Sequence, residues 1–185
     1  MLKEVISETR DKMTITLNIL TEDLRGIRTG RASPALVERL LVEYYGTPTP
    51  LNQLATIAAP EPRLLTIRPW EANLIGAIEK AILKSDLGLT PTNDGKIIRL
   101  SIPRLSEERR EELVRVVHKR LEEAKVAVRN ARRDAIDDLK ELQDEKIITE
   151  DEFYEGRDRL QEITDDFIAK IDEIGARKVE EIRQV

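Results

Sequence analysis

The chain of 185 residues contains no cysteine, which excludes a disulfide, a thiolate nucleophile and a cysteine-ligated metal. It has one histidine, His118, between Val117 and Lys119 in a charged stretch. A histidine in that setting reads as a solvated side chain, because triad chemistry needs a base oriented by a third group and no such set is visible. There is no run of about 18 apolar residues that could cross a membrane. The opening residues, Met1-Leu2-Lys3-Glu4-Val5, turn acidic at once and do not read as a secretory signal, so the expected location is the cytoplasm. A basic excess is missing too: 31 Lys and Arg stand against 36 Asp and Glu, a formal charge of -5. A protein that binds free duplex is usually basic overall. The segment Thr92-Asn93-Asp94-Gly95-Lys96 lacks P-loop spacing and reads as a hairpin turn. The acidic clusters Glu150-Asp151-Glu152 and Asp165-Asp166 lack the glycine-turned loop of a calcium site. No catalytic residue, metal or cofactor is expected.

What is present is charge and helical pattern. Charged residues make up 36% and aromatics 3%, a mix that points to long helices. All eight prolines fall between Pro34 and Pro103, and this shift divides the chain. Residues 1–29 and 106–185 form a helical part, and residues 30–105 an insertion. In the first helix, Ile6, Met13, Leu17, Leu20, Leu24 and Ile27 make a heptad seam. A second seam follows Ser106: Leu113, Val117, Leu121, Ala124, Val128, Ala131, Ala135, Leu139 and Leu142. A third opens at Thr149 with Glu152 three residues on, the spacing of a capping box, and runs through Phe153, Leu160, Ile163, Phe167, Ile171, Ile174 and Ile182. The short connection between the last two implies antiparallel neighbours. Three such seams can close as an elongated three-helix bundle.

The insertion reads as a small β/α/β unit. Strands are expected over residues 40–45, 54–57, 64–68 and 97–102, a helix over 71–84 with Leu74, Ile75, Ile78, Ile82 and Leu83 inward, and a turn at Asn93-Asp94-Gly95. Trp70, Tyr44 and Tyr45 are assigned to its packing. The fold class is therefore α+β. Two connections join the parts, at residues 28–31 and 102–106; Gly30 lies in one and Pro103 in the other. A joint made of so little chain is expected to bend.

One stretch departs from the acidic background. Residues 125–133, K-V-A-V-R-N-A-R-R, carry four positive charges and no acid. On a helix, Arg129 and Arg132 have no acidic neighbour three or four places away, and like charges at that spacing destabilise by about 0.2–0.5 kcal/mol per pair. Residues 134–185 hold 18 acids against eight bases, so the third helix could supply carboxylates to the patch. The competing reading is a phosphate backbone, which the planar fork of arginine suits. On an acidic chain such a patch fits structured RNA better than naked nucleic acid. From the residues alone both stay open, with internal pairing slightly ahead. Lys125 and Arg133 can also pair locally with Glu122 and Asp137.

Several ordered motifs resemble the ribosome recycling factor family. They are Gly26-Ile27-Arg28-Thr29-Gly30-Arg31-Ala32-Ser33-Pro34, Val42-Glu43-Tyr44-Tyr45-Gly46, Ser85-Asp86-Leu87-Gly88-Leu89, Leu105-Ser106-Glu107-Glu108-Arg109-Arg110 and Val128-Arg129-Asn130-Ala131-Arg132-Arg133. The resemblance implies an L-shaped α+β molecule that acts with elongation factor G and GTP to split the post-termination ribosome into subunits. It implies a monomer whose bundle meets large-subunit ribosomal RNA through Arg129, Arg132 and Arg133, with Arg110 taken alongside them. The two connections are read as its pivot, assigned to Thr29, Gly30, Arg31, Pro103, Arg104 and Leu105. The alternative from another class is a coiled-coil protein-interaction or chaperone-like module.

Overall fold

In chain order the elements are α1 (Leu2–Arg25), β1 (Leu41–Tyr44), β2 (Thr47–Pro50), β3 (Ala55–Glu61), β4 (Leu64–Pro69), α2 (Ile75–Lys84), β5 (Pro91–Asn93), β6 (Ile98–Ser101), α3 (Glu107–Asp144) and α4 (Glu150–Arg183). The structure, a computed structural model, describes residues 1–184. Two units emerge, Met1–Arg28 with Glu107–Gln184, and Thr29–Ser106.

The first unit is built on three apolar seams. Ile6, Met13, Leu20 and Leu24 of α1 are buried, as are Leu113, Val117, Leu121, Ala124, Val128, Ala135 and Leu139 of α3 and Leu160, Ile163, Phe167, Ile171 and Ile182 of α4. Burying a large apolar side chain completely contributes about 1.5–3 kcal/mol. Leu17, Ala131 and Ile174 are only half-buried, and Ile27 lies beyond the end of α1. Four positions in the seams are not apolar. Thr9 and Thr164 are buried, and their hydroxyls donate to the carbonyls of Val5 and Leu160, both at 2.7 Å, which removes the penalty of an unsatisfied buried hydroxyl. The other two are glycines of α4. A Cβ on Gly156 would sit 2.6 Å from Leu2 Cδ1 and 2.7 Å from Leu139 Cδ1, and one on Gly175 would overlap the side chain of Leu121.

These contacts fix the helix directions. Gly156 of α4 lies by Leu139 of α3, and Gly175 by Leu121, so α3 and α4 run antiparallel. Leu2 lies at the Gly156 level, and Asp23 approaches Arg120 at 4.0 Å, so α1 is antiparallel to α3 as well. With 38 residues, α3 is about 57 Å long at 1.5 Å per residue.

The turn between α3 and α4 is closed at both ends. Lys146 adopts φ 62°. Its N–H donates to Gln143 O and that of Ile147 to Leu142 O, both at 2.9 Å, which makes a Schellman motif with lysine at the left-handed position. Ile148 is buried behind it. Thr149 then caps α4. The Glu152 N–H donates to Thr149 Oγ1 at 3.1 Å and the Thr149 N–H to Glu152 Oε2 at 2.8 Å, satisfying two donors that the helix start leaves open.

The second unit contains a four-stranded antiparallel sheet in the order β3-β4-β6-β5 and a separate β1-β2 hairpin. The helix starts as a 3-10 turn, Ala72–Leu74, before α2. Leu74, Ile75, Ile78 and Ile82 join Val42, Leu51, Leu65, Ile67, Ile98 and Leu100 in one core.

Six strands form where four are expected. The extra two, β2 and β5, contain Pro48, Pro50 and Pro91. Each lies at a sheet edge, where the absent N–H of proline costs no ladder bond. Tyr45 and Gly46 make the two-residue turn between β1 and β2, with φ 47° and 80°, as a primed hairpin turn requires. Three assignments need correction. Leu83 is exposed rather than inward, and Trp70 and Tyr45 are 65% and 76% exposed rather than packed.

Candidate nucleic-acid interface

Arginines 129, 132 and 133 project from the middle of α3, within about one helical turn of each other. Arg110 belongs to the first turn of α3, and 19 residues separate it from Arg129, which is about 28 Å along the axis. The structure thus gathers three of the four candidates and leaves the fourth apart.

Among the described residues, no carboxylate lies within 4.0 Å of the guanidinium of Arg129, Arg132 or Arg133. The acidic face of α4 does not neutralise these three arginines. What α4 offers Arg132 is an amide: Nη1 donates to Gln161 Oε1 at 2.8 Å, and Gln161 Nε2 donates to Asp165 Oδ1 at 2.9 Å. The Nε of Arg132 is buried with no hydrogen-bond partner. Arg132 is thereby oriented by a neutral amide rather than by a carboxylate.

Lys125 behaves differently. Its amine lies 2.6 Å from Asp172 and 3.6 Å from Glu122, and the hydrogen bond to Asp172 raises its pKa above the ordinary lysine value. Lys125 is consumed by internal pairing. The expected pairing of Arg133 with Asp137 does not form, although the two are one turn apart. Arg133 therefore stands with Arg129 and Arg132.

One residue of this surface escaped the sequence reading. Arg157 of α4, with Arg132, Arg133 and Ile136, lines a cleft of about 450 Å³ between the two helices. Its guanidinium sits 4.8 Å from the centre of the Tyr154 ring, a cation–π contact that restrains it. The signal available in sequence was the three-residue step from Tyr154 to Arg157 on a helix, hidden in an acidic context.

The residues assigned to the pivot sit beside two anchors in the second unit. The Ala32 N–H donates to Pro62 O at 2.6 Å and the Ile102 N–H to Arg63 O at 2.8 Å, so both connections are tied to the same β3–β4 turn. Outside these anchors, Thr29 and Gly30 are buried, Leu105 is half-buried, and Arg31, Pro103 and Arg104 are exposed. Gly30 has φ 76°, and a Cβ there would meet Leu105 Cγ at 3.1 Å. Among the described residues, no turn or loop backbone bond is donated by the N–H groups of Thr29, Gly30, Arg31, Arg104 or Leu105.

Among the described residues, no group of three or more His, Asp or Glu side chains is placed to hold a metal ion, and no helix is long and apolar enough to cross a membrane.

The comparisons with known proteins are consistent along the whole chain. The family model for ribosome recycling factor matches residues 20–182. The chain belongs to the ribosome recycling factor family. It is 57% identical to the ribosome-recycling factor of Dehalococcoides mccartyi strain CBDB1 over 185 residues, all of both chains. It is 56% identical to that of Chloroflexus aurantiacus, again over the full length of each. A solution structure of a ribosome recycling factor aligns with TM-score 0.77 and 42% identity, covering 100% of this chain and 98% of the other. A second solved structure describes models for the T. thermophilus ribosome recycling factor and the E. coli elongation factor G bound to the E. coli post-termination complex. Its chain aligns at 50% identity and TM-score 0.66, with 98% of each chain covered. The family assignment agrees with the α+β architecture of long helices and a small sheet unit.

Proposed function

We propose that this chain recycles ribosomes: with elongation factor G and GTP it splits the post-termination ribosome into subunits, and it does so without covalent chemistry. Family membership and the post-termination complex described for a relative support the role. The bundle docks on large-subunit ribosomal RNA through Arg129, Arg132 and Arg133, with Arg110 making a separate contact near the start of α3. The observation that carries this is three arginines free of carboxylate partners on a chain of net charge -5. Like charges held together without internal compensation weaken the helix and are stabilised when an anion arrives.

The second unit acts as the arm of a lever and turns about Thr29, Gly30, Arg31, Pro103, Arg104 and Leu105. The free energy comes from the GTP cycle of the partner. Two short connections side by side resist stretching while allowing rotation, and the anchors at Ala32 and Ile102 confine bending to the residues outside them.

Co-sedimentation with vacant ribosomes across a salt series tests the docking. Arg132→Ala should weaken binding and lower the log–log salt slope by about 0.7–0.9, with the melting curve nearly unchanged. A variant that melts early yet binds with an unchanged slope would assign Arg132 to bundle stability instead. For the lever, replacing Pro103 and Arg104 by glycine should preserve co-sedimentation and slow subunit splitting measured by light scattering, because a slack connection transmits less force. Unaltered splitting would remove the pivot from this segment.

A further inference from the structure

We infer that the cleft between α3 and α4 is a two-helix seat for an internucleotide phosphate, and that Arg157 is its third arginine. The inference rests on the ribosomal RNA reading of the patch and extends it to a second helix.

The geometry is that of a preorganised anion site. Arg132 and Arg133 come from one wall and Arg157 from the other. Two of the three are restrained by uncharged groups, Arg132 by the Gln161 amide at 2.8 Å and Arg157 by the Tyr154 ring at 4.8 Å. Fixing a guanidinium before the ligand arrives reduces the side-chain entropy lost on binding. Ile136 also lines the cleft, an apolar surface that lowers the local dielectric and so strengthens a charge-assisted hydrogen bond.

The acids in the cleft set its selectivity. Asp137 and Asp158 also line it, and Asp158 Oδ1 is 3.8 Å from Arg157 Nη2, too long for a hydrogen bond. Three guanidinium groups against two carboxylates leave a net charge of +1. That balance suits the single negative charge of a phosphodiester. It is poorly matched to a dianionic free phosphate, for which two extra carboxylates are repulsive.

The test uses the full chain and isolated large ribosomal subunits, with binding measured from low to moderate salt. Arg157→Ala should lower the salt slope by about 0.7–0.9 and weaken binding about 5–10-fold near 0.1 M salt, the amount expected for one lost phosphate contact. The melting curve should not shift, since Arg157 is half exposed. Arg129→Ala and Arg132→Ala are measured alongside. If those two lower the slope and Arg157→Ala leaves it unchanged, the two-helix seat is wrong while the docking reading stands. If none of the three changes the slope, the docking reading itself fails and takes this inference with it.

Discussion

At the scale of single residues, this protein keeps two side chains, Tyr45 and Lys146, where their backbone would favour glycine. Lys146 closes α3 at φ 62°, a conformation that costs an L-residue about 1–2 kcal/mol and glycine far less. Lys146→Gly should therefore raise the stability of the bundle by about 1 kcal/mol, seen as a higher denaturation midpoint with unchanged helicity. Asp94 illustrates a residue matched to its place. Its carboxylate accepts from the N–H groups of Ile97 and Lys96, both at 2.9 Å, and from Arg99 at 3.2 Å. The two backbone bonds hold its pKa down to about 2 from an ordinary 3.8. A lowered pKa means that the contribution is complete above the unfolded value and is lost as pH falls. The β5–β6 turn should thus loosen between pH 4 and pH 2. Amide exchange at Lys96 and Ile97 would follow this, and Asp94→Asn should flatten the pH dependence.

At the scale of elements, much was legible in the sequence because it rests on local rules. The three seams follow from the spacing of apolar residues, and the start of α4 from Thr149 and Glu152. The strands β2 and β5 were not legible, because Thr47-Pro48-Thr49-Pro50 and Pro91-Thr92-Asn93 carry the residues that usually end strands. Only their position at the edges makes them acceptable, and position is a tertiary fact. Gly156 and Gly175 were missed for a related reason. Glycine in a helix reads as a weakness costing about 1 kcal/mol relative to alanine, whereas here it is the hole that a leucine of α3 fills. The sequence also left the arginine patch undecided, since whether α4 turns a carboxylate or an amide toward Arg132 depends on helix rotation. The two glycines should respond differently to a methyl group. At Gly156 the added Cβ meets the fully buried Leu139 as well as Leu2. At Gly175 it meets Leu121, which borders an open cleft into which it can turn. Gly156→Ala should destabilise by about 1–3 kcal/mol, and Gly175→Ala by clearly less. Chemical denaturation of both variants checks the order, and equal effects would mean that Leu121 is held as firmly as Leu139. Removing the cap of α4 with Thr149→Ala should cost about 1 kcal/mol, visible in the same measurement.

At the scale of the whole molecule, an acidic net charge is compatible with the proposed docking on RNA, because charge is placed rather than averaged. A bundle that was basic throughout would hold any nucleic acid it met. A bundle with three arginines free of carboxylate partners would, on the proposed reading, bind well only where the phosphates match their spacing. In the second unit the chain is tied down near both ends, by the anchors at Ala32 and Ile102. Those anchors carry a last consequence. Their partners, Pro62 and Arg63, are consecutive residues, so the chain enters and leaves the second unit at neighbouring points. The unit is spliced into the helical hairpin much as a cassette is, with its two ends together. Replacing residues 32–102 by a short glycine–serine loop should leave α1 and α3 able to pair. The trimmed chain should melt cooperatively and co-sediment with ribosomes, yet fail to separate their subunits. Entry and exit at one point make the second unit an exchangeable part, so that its length and surface can change without redesign of the helices that carry it.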